Sequence, residues 1–259
     1  VLLHVLLTVY VTVLGLIIGS YLNVVVYRLP RGVSTVWPRS RCTSCGAAIR
    51  AFDNLPVVSY LLLRGRCRSC GAGISWRYPA IEALTGLLFL ACLERFGLRI
   101  ETLAAILFCC LMIVLAAIDV EHMLLPDRIT LPGIALGLLL QLWIPWAGGL
   151  LGGALGALLG GGILLAISGA WYLLRHEEGM GLGDVKMLAM VGAFLGWKGV
   201  VVTLFVSTLT GAVVGLAVAR RSGAGLKAKL PFGAFLALAA LVALFFGVPL
   251  VDAYLGLLK

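Results

Sequence analysis

The sequence predicts an all-α polytopic membrane protein of about eight transmembrane segments with one small, cysteine-stapled loop domain. Three observations point there. Of the 259 residues, 62% are hydrophobic and only 12% are charged, about half the charged share of a soluble domain. The apolar residues gather in runs long enough for the ~30 Å hydrocarbon core of a bilayer. One long polar stretch, residues 28–79, interrupts them and holds two Cys-x-x-Cys pairs.

In chain order, residues 2–27 form the first span. No basic region precedes it and it is too long for a signal peptide, so it reads as a retained helix. Residues 28–79 are basic and loop-rich, with turns and short strands expected. The remaining spans are expected at 81–96, 102–118, 129–146, 150–174, 185–197, 199–219 and 232–257. The run after Asp184 is short; it either crosses incompletely or continues into the next span. Three domains follow: 1–27 as the first helix, 28–79 as a loop domain, and 80–259 as a transmembrane core. Glycines 152, 153, 156 and 160 have the small-residue spacing that lets membrane helices pack closely. No internal repeat is visible.

The net charge of +9 does not point to nucleic acid, because the basic residues sit in loops between apolar runs. With the N-terminus outside, sixteen of the twenty basic residues fall in cytoplasmic loops, as the positive-inside rule requires. That orientation puts residues 28–79 in the cytoplasm. It also brings Asp119 and Asp184 to cytoplasmic ends of spans at the same depth.

Gly179-Met-Gly181-Leu-Gly183-Asp184-Val-Lys186 lies between two apolar segments. Alternating glycines suit an irregular backbone that a second segment approaches closely. Such backbone is tolerated at membrane depth only where protein buries it or water reaches it. Asp184 follows at once, and an intramembrane carboxylate marks a functional site by default. Asp119 is its counterpart, opening Asp-Val-Glu-His-Met-Leu-Leu-Pro126-Asp127. Two carboxylates a few ångströms apart share one proton, the arrangement of aspartyl proteases. One draws a proton from water and the other donates to the scissile carbonyl. The residues alone leave proton-coupled transport equally open, and a lone Asp119 at a helix end would be read as a cap. Asn23, the polar exception near the end of the first span, is either an interhelical hydrogen bond or a contact behind the site or with the substrate. Acidic Glu121, Asp127, Glu177 and Glu178 would attract a basic peptide; singly, each also reads as a solvated loop residue.

The seven cysteines fall into two groups. Cys92, Cys109 and Cys110 lie in apolar spans and read as small buried hydrophobes. Cys42, Cys45, Cys67 and Cys70 form two knuckle-like turns, each followed by glycine. Four converging thiolates make a closed tetrahedral zinc site; iron or redox use is the alternative. The cytoplasmic side disfavours disulfides. A closed site leaves no open coordination position, so the metal would be structural.

Gly181-Leu-Gly183-Asp184 resembles the Gly-x-Gly-Asp signature of intramembrane aspartyl proteases. Ala117-Ile-Asp119 running to Pro126-Asp127 is similar to the first-aspartate motif of one branch, the type IV prepilin leader peptidases. Residues 19–30, 77–86 and 230–237 resemble that branch too, so the likeness covers nearly the whole chain in order. It implies a bacterial inner-membrane enzyme that removes a short basic leader from prepilins and pseudopilins at the cytoplasmic face. The cut would follow glycine, usually before phenylalanine, with Asp119 and Asp184 as the catalytic pair. Gly179, Gly181, Gly183, Lys186 and Asp127 would frame the active-site loop. The cysteine-bearing form of the family also implies N-methylation of the new terminus, with S-adenosylmethionine as donor. Glu82, where the loop domain meets the second span, is the candidate to support methyl transfer; equally, it is an interfacial Glu paired with a basic residue such as Arg77. A non-enzymatic reading remains: a transporter or assembly factor with a zinc-stapled domain and a carboxylate relay. A relay needs acids at staggered depths, whereas a protease needs them together.

Overall fold

The computed structural model describes residues 2–177, 180–222 and 230–257. The long elements among the described residues are helices: α1 (Leu2–Arg28), α2 (Val58–Leu62), α3 (Arg77–Phe96), α4 (Ile100–His122), α5 (Asp127–Leu140), α6 (Gly149–Arg175), α7 (Leu182–Ser222) and α8 (Phe232–Leu257). Five helices among the described residues are long and apolar enough to cross a membrane: α1, α4, α6, α7 and α8. The chain divides into two compact units, residues 1–114 and 115–259.

In the first unit, α1 and α3 pack backbone to backbone. A Cβ on Gly15 would fall 2.8 Å from Gly86 Cα, and one on Gly19 would fall 2.8 Å from Glu82 Cα. Small residues four apart permit this approach, and van der Waals contact then holds the pair where lipid supplies no hydrophobic drive. Val11, Phe89 and Leu93 are buried together, flanked by Ile106 and Cys110. Residues 28–76 carry no strand, contrary to the expected short strands. Two isolated bridges, Arg41–Ala48 and Arg66–Gly73, take their place. Each closes a knuckle too short to propagate a ladder. Between the knuckles lie a 3₁₀ turn, Ala51–Asn54, and the short helix α2.

The second unit begins within α4. The expected span at 129–146 is only the 14-residue α5, about 21 Å long at 1.5 Å per residue. The chain then turns, and Gln141 explains why. Its Nε2 donates to the carbonyls of Ala193 (3.2 Å) and Phe194 (2.7 Å), and its Oε1 accepts from Ala147 N–H at 3.1 Å. Those carbonyls are ones that α7 leaves free where it breaks at Gly196.

The runs expected at 185–197 and 199–219 are the two arms of α7. Gly196 has φ 67° and ψ −170°, a conformation closed to residues with a Cβ. The chain folds back there: Gly160 of α6 faces Leu188 O on one arm and Val200 on the other. Gly153, Gly156 and Gly160 bring α6 against backbone atoms of the first arm, as their spacing predicts; Gly152 faces Ala147 of the preceding turn instead. The reversal returns the second arm to α8, where Gly211 meets Phe235; Gly215 meets Leu230 just before that helix.

Candidate active site

Four helix ends meet at one end of the second unit. Asp119 lies in the last turn of α4 and is only 5% exposed. After His122 the chain reverses through Met123, at φ 49°, whose N–H donates to Asp119 O at 2.8 Å. Leu125 then turns inward, and Pro126 takes an extended conformation that starts α5 at Asp127. The proline thus redirects the backbone, as its φ restriction favours.

Asp184 stands in the first turn of α7 and is half-buried. Its N–H donates to Gly181 O at 3.2 Å, closing the turn into the helix. The two carboxyls lie within electrostatic reach of each other. The Asp119 carboxylate accepts the Ala234 N–H through Oδ2 at 2.9 Å, in the first turn of α8. A helix N-terminus presents unpaired N–H groups and the positive end of its dipole, so it suits a carboxylate. Asp119 therefore does cap a helix, but one 115 residues away.

Glycine is required around this pair for a local reason. A Cβ on Gly183 would fall 2.9 Å from Leu125 Cβ. One on Gly233 would fall 2.8 Å from Leu125 Cδ1 and 3.0 Å from Asp119 Oδ2. Leu125 is thus a wedge between α7 and α8, and any larger residue at either glycine would displace it. Gly183 is helical rather than part of an irregular loop, but the close approach expected of it is present. Gly181 stands 4.0 Å from Asp184 Oδ2, measured from the position of its absent Cβ. Gly179 and Glu178 lie outside the described residues.

Lys186 and Asp127 pair, with Nζ 2.7 and 2.8 Å from the two carboxylate oxygens. This ties α5 to α7 and engages Asp127, which is therefore not a free acid awaiting a basic peptide. Sequence reasoning singled out residues 230–237 without giving them a part, and overlooked Leu125. Pro231-Phe-Gly-Ala carries a helix-start signal, proline followed by residues whose N–H groups are free. Nothing local predicts that Asp119 receives them.

In the first unit the four cysteine sulfurs lie within 4.8 Å of one another, with Cys42 and Cys70 at 3.9 Å. Thiolates around zinc at ~2.3 Å in a tetrahedron stand ~3.8 Å apart, so the residues fit that ion. The two knuckles match in detail. Cys42 and Cys67 donate to Ala47 O and Ala72 O, and Gly46 and Gly71 return to the cysteine carbonyls at 2.9 Å. Both glycines have φ near 70°. The amides of Cys45 and Ser44 pull the Cys42 thiol down to about 6. The Ala72 amide acts the same way on Cys70, but the neighbouring Cys45 and Cys67 sulfurs outweigh it and push that thiol up to about 11. Four sulfurs at this spacing compete for protons, and a cation relieves the competition.

Asn23 donates to Tyr78 O at 3.1 Å and to Gly19 O at 3.3 Å, joining α1 to α3. Glu82, 8% exposed, accepts the Val57 N–H at 2.7 Å through Oε2. The Ser20 hydroxyl lies beside the same carboxylate.

Two family models match in register. The bacterial peptidase A24 N-terminal domain covers residues 13–96, and the type IV leader peptidase family covers residues 106–216. The chain is similar to proteins named prepilin leader peptidase/N-methyltransferase. The one from Burkholderia pseudomallei is 40% identical, over 93% of this chain and 85% of that protein. The one from Pseudomonas putida is 38% identical, over 91% and 89%. A third, from Xanthomonas campestris, is 36% identical, over 93% and 92%. No solved structure matches the chain. The chain belongs to the type IV leader peptidase family.

Proposed function

We propose that this member of the family is a multi-pass enzyme of the bacterial inner membrane with two activities. It removes the short basic leader of type IV prepilins and pseudopilins at the cytoplasmic face, after glycine, and it methylates the new N-terminal amine. Asp119 and Asp184 are the catalytic pair of the first reaction. The observation that carries this reading is their meeting at one end of the bundle, from opposite ends of two helices. A relay of staggered acids would not need that convergence.

The pair shares one proton, since like charges at close range do not ionise together. The ionised carboxylate takes a proton from water as the oxygen attacks the scissile carbonyl. The protonated carboxyl donates to the carbonyl oxygen; as the C–N bond breaks, the carboxyl that took the water's proton gives it to the leaving amine, and the diol returns a proton to the other carboxylate. The Ala234 amide engages Asp119 Oδ2 and orients that carboxyl. Leu125, Gly183 and Gly233 position the two acids by setting the spacing of α7 and α8. Lys186 and Asp127 hold α5 against the same end.

Residues 28–79 form the methyltransferase-associated domain. Cys42, Cys45, Cys67 and Cys70 would hold zinc in a closed site that fixes a loop domain too poor in apolar residues to fold alone. S-adenosylmethionine, when bound, would supply the methyl group for the new N-terminal amine. Glu82 supports this half by holding the turn at Val57. Asn23 holds α1 and α3 in register behind it.

The test is mass spectrometry on the purified full chain with a prepilin-like peptide and S-adenosylmethionine. Wild type removes the leader and returns a methylated product. Asp119→Asn and Asp184→Asn each lose cleavage by roughly 10²–10⁴-fold, the share that a positioned acid or base contributes. Full cleavage by either variant would overturn the assignment.

A further inference from the structure

Residues 28–79 carry nine arginines, no lysine and a single acid, Asp53. Asp53 is taken by Arg68, whose Nη2 lies 2.7 Å from its Oδ1. The loop domain therefore cannot neutralise its own charge. Two of its arginines, Arg28 and Arg39, border one depression of about 430 Å³ between the C-terminal half of α1 and loop residues 35–40 and 54–56. No carboxylate lines it.

The depression has two chemically distinct ends. Ile17, Tyr21, Val24 and Arg28 line it from α1. They follow one another at three- and four-residue intervals and so share one face of the helix. Ile17 and Tyr21 are exposed there, at 54% and 47%. From Ile17 to Arg28 the helix rises ~16 Å at 1.5 Å per residue, about one leaflet of a ~30 Å hydrocarbon core. The apolar end thus runs back along the span, and the basic end lies where the span stops. Arg28 Nη1 donates to Ser34 O at 3.0 Å and Nη2 to Arg39 O at 3.5 Å. These carbonyls orient the guanidinium but leave its charge uncancelled. Arg39 is exposed, and neither arginine is in an ion pair among the described residues. Trp37, in the loop that forms the rim, is 70% exposed; indole rings gather at the headgroup level of a bilayer.

The wall at 54–56 is held rigidly from behind. Val57 has φ 60° and ψ −48°, and Val58 N–H donates to Pro56 O at 2.6 Å. This is a γ-turn of the strained hand, centred on a β-branched residue that ordinarily avoids positive φ. The buried Glu82 carboxylate holds it by taking the Val57 N–H at 2.7 Å. Such strain persists only where the surroundings over-determine it, and it gathers at ligand clamps.

We propose that this depression holds one acidic phospholipid. Its phosphate belongs at the arginine end, because guanidinium groups match phosphate oxygens, and an acyl chain belongs at the apolar end. A free phosphate would leave the apolar end uncovered. A zwitterionic lipid would bring a cation of its own to two arginines. Anionic lipids of the cytoplasmic leaflet are the ones a basic segment beside a span meets. The proposal requires only that α1 spans a bilayer; neither reaction enters it.

The experiment is native mass spectrometry of the full chain, delipidated in detergent and titrated with phosphatidylglycerol or phosphatidylcholine. Zinc content and thermal unfolding are checked for each variant. Wild type retains one phosphatidylglycerol, about tenfold or more tighter than phosphatidylcholine, as two arginines near an anionic headgroup predict. Arg39→Gln weakens retention about fivefold. Arg50→Gln, an equal loss of charge at a residue that does not line the depression, leaves retention unchanged. Ile17→Trp, which fills the apolar end from an exposed position, weakens it too. Glycerol 3-phosphate at the same concentration does not displace the lipid. Equal retention of the two lipids, or equal weakening by Arg39→Gln and Arg50→Gln, would reduce the site to a diffuse positive field and overturn it. Displacement by glycerol 3-phosphate, or full retention by Ile17→Trp, would overturn the lipid and leave a phosphate site. Leader cleavage by wild type in the same preparation separates a failure of this site from a failure of the protease reading.

Discussion

The cysteine knuckles and the aspartate pair are both four-part constructions, yet they are assembled in opposite ways. Each knuckle is complete within six residues: two cysteines, a returning amide and a glycine at positive φ. The two knuckles then need only to come together around one ion. The aspartate end has no complete local piece. Asp119, Asp184, Leu125 and the Ala234 amide come from three helices and a turn, and Asp119 and Ala234 are 115 residues apart. Local construction makes a site robust to the packing of the rest of the chain. Distributed construction makes it depend on every helix spacing around it.

That difference predicts where substitutions hurt. The largest effect short of removing an acid is expected at the glycines. Gly183→Val or Gly233→Val pushes against Leu125 and shifts the spacing of the acids, costing about 10²-fold in cleavage, the scale of a 1 Å misplacement. Pairing Gly233→Val with Leu125→Ala, which removes the Cδ1 that the new side chain meets, restores part of the rate. A leader-cleavage assay that finds no recovery would mean that the glycine serves something other than the wedge.

Cysteine substitutions should divide the molecule differently. Cys45→Ser or a strong chelator releases zinc, measurable by elemental analysis, and opens residues 28–76 to limited proteolysis. Structural zinc contributes ~10–16 kcal/mol in small zinc-finger peptides, so this loss is large for the loop domain. Methylation disappears with it, while the acids of the second unit are untouched.

A smaller effect is expected at Lys186. Its pair with Asp127 is about a third to a half exposed, and such pairs contribute about 0.2–1 kcal/mol. Lys186→Met should lower the unfolding temperature slightly and cleavage by a few-fold at most. A complete loss of cleavage would give Lys186 a part in the chemistry itself.

The smallest effect concerns pH. The Arg68 guanidinium hydrogen-bonds to Asp53 and holds its carboxyl below the usual carboxylate range. The folded value is the lower one, so the contribution is complete above the unfolded carboxylate range and fades as pH falls through the folded value. Arg68 is half-exposed while the Asp53 carboxyl is largely covered, and salt still screens the pair in part. Arg68→Ala should therefore change loop stability slightly near neutrality and not at all in strong acid, as read by thermal unfolding of the zinc-bound protein at two pH values.

The same contrast explains what was legible in the sequence. The helical membrane class, the glycine seam of α6 and the cysteine knuckles are short-range patterns, and each appears in the structure as spaced. The ends of helices near Asp119 and Asp184 were legible too, because apolar runs stop there. What could not be read is long-range. Gln141, one polar residue at the end of an apolar run, gives no sign that it satisfies carbonyls of Ala193 and Phe194. Val185–Trp197 looked too short to cross because Gly196, one glycine among 33, reverses the chain. Leu125 is one leucine among many until its neighbours are known to be Gly183 and Gly233. The strained Val57 has no local signal, because its conformation is imposed by Glu82 from another helix.

The central claim is that two chemistries reside in two separately built sites of one chain. Its most direct test supplies an already processed, phenylalanine-terminated pilin peptide and S-adenosylmethionine to the Asp119→Asn/Asp184→Asn double variant, with intact prepilin as the second substrate, and weighs both products by mass spectrometry. The account predicts that the processed peptide gains one methyl group at its amino terminus while the prepilin keeps its leader. A double variant that leaves the processed peptide unmethylated while folded, zinc-loaded and able to bind the donor would contradict it, and would place both reactions at the aspartates.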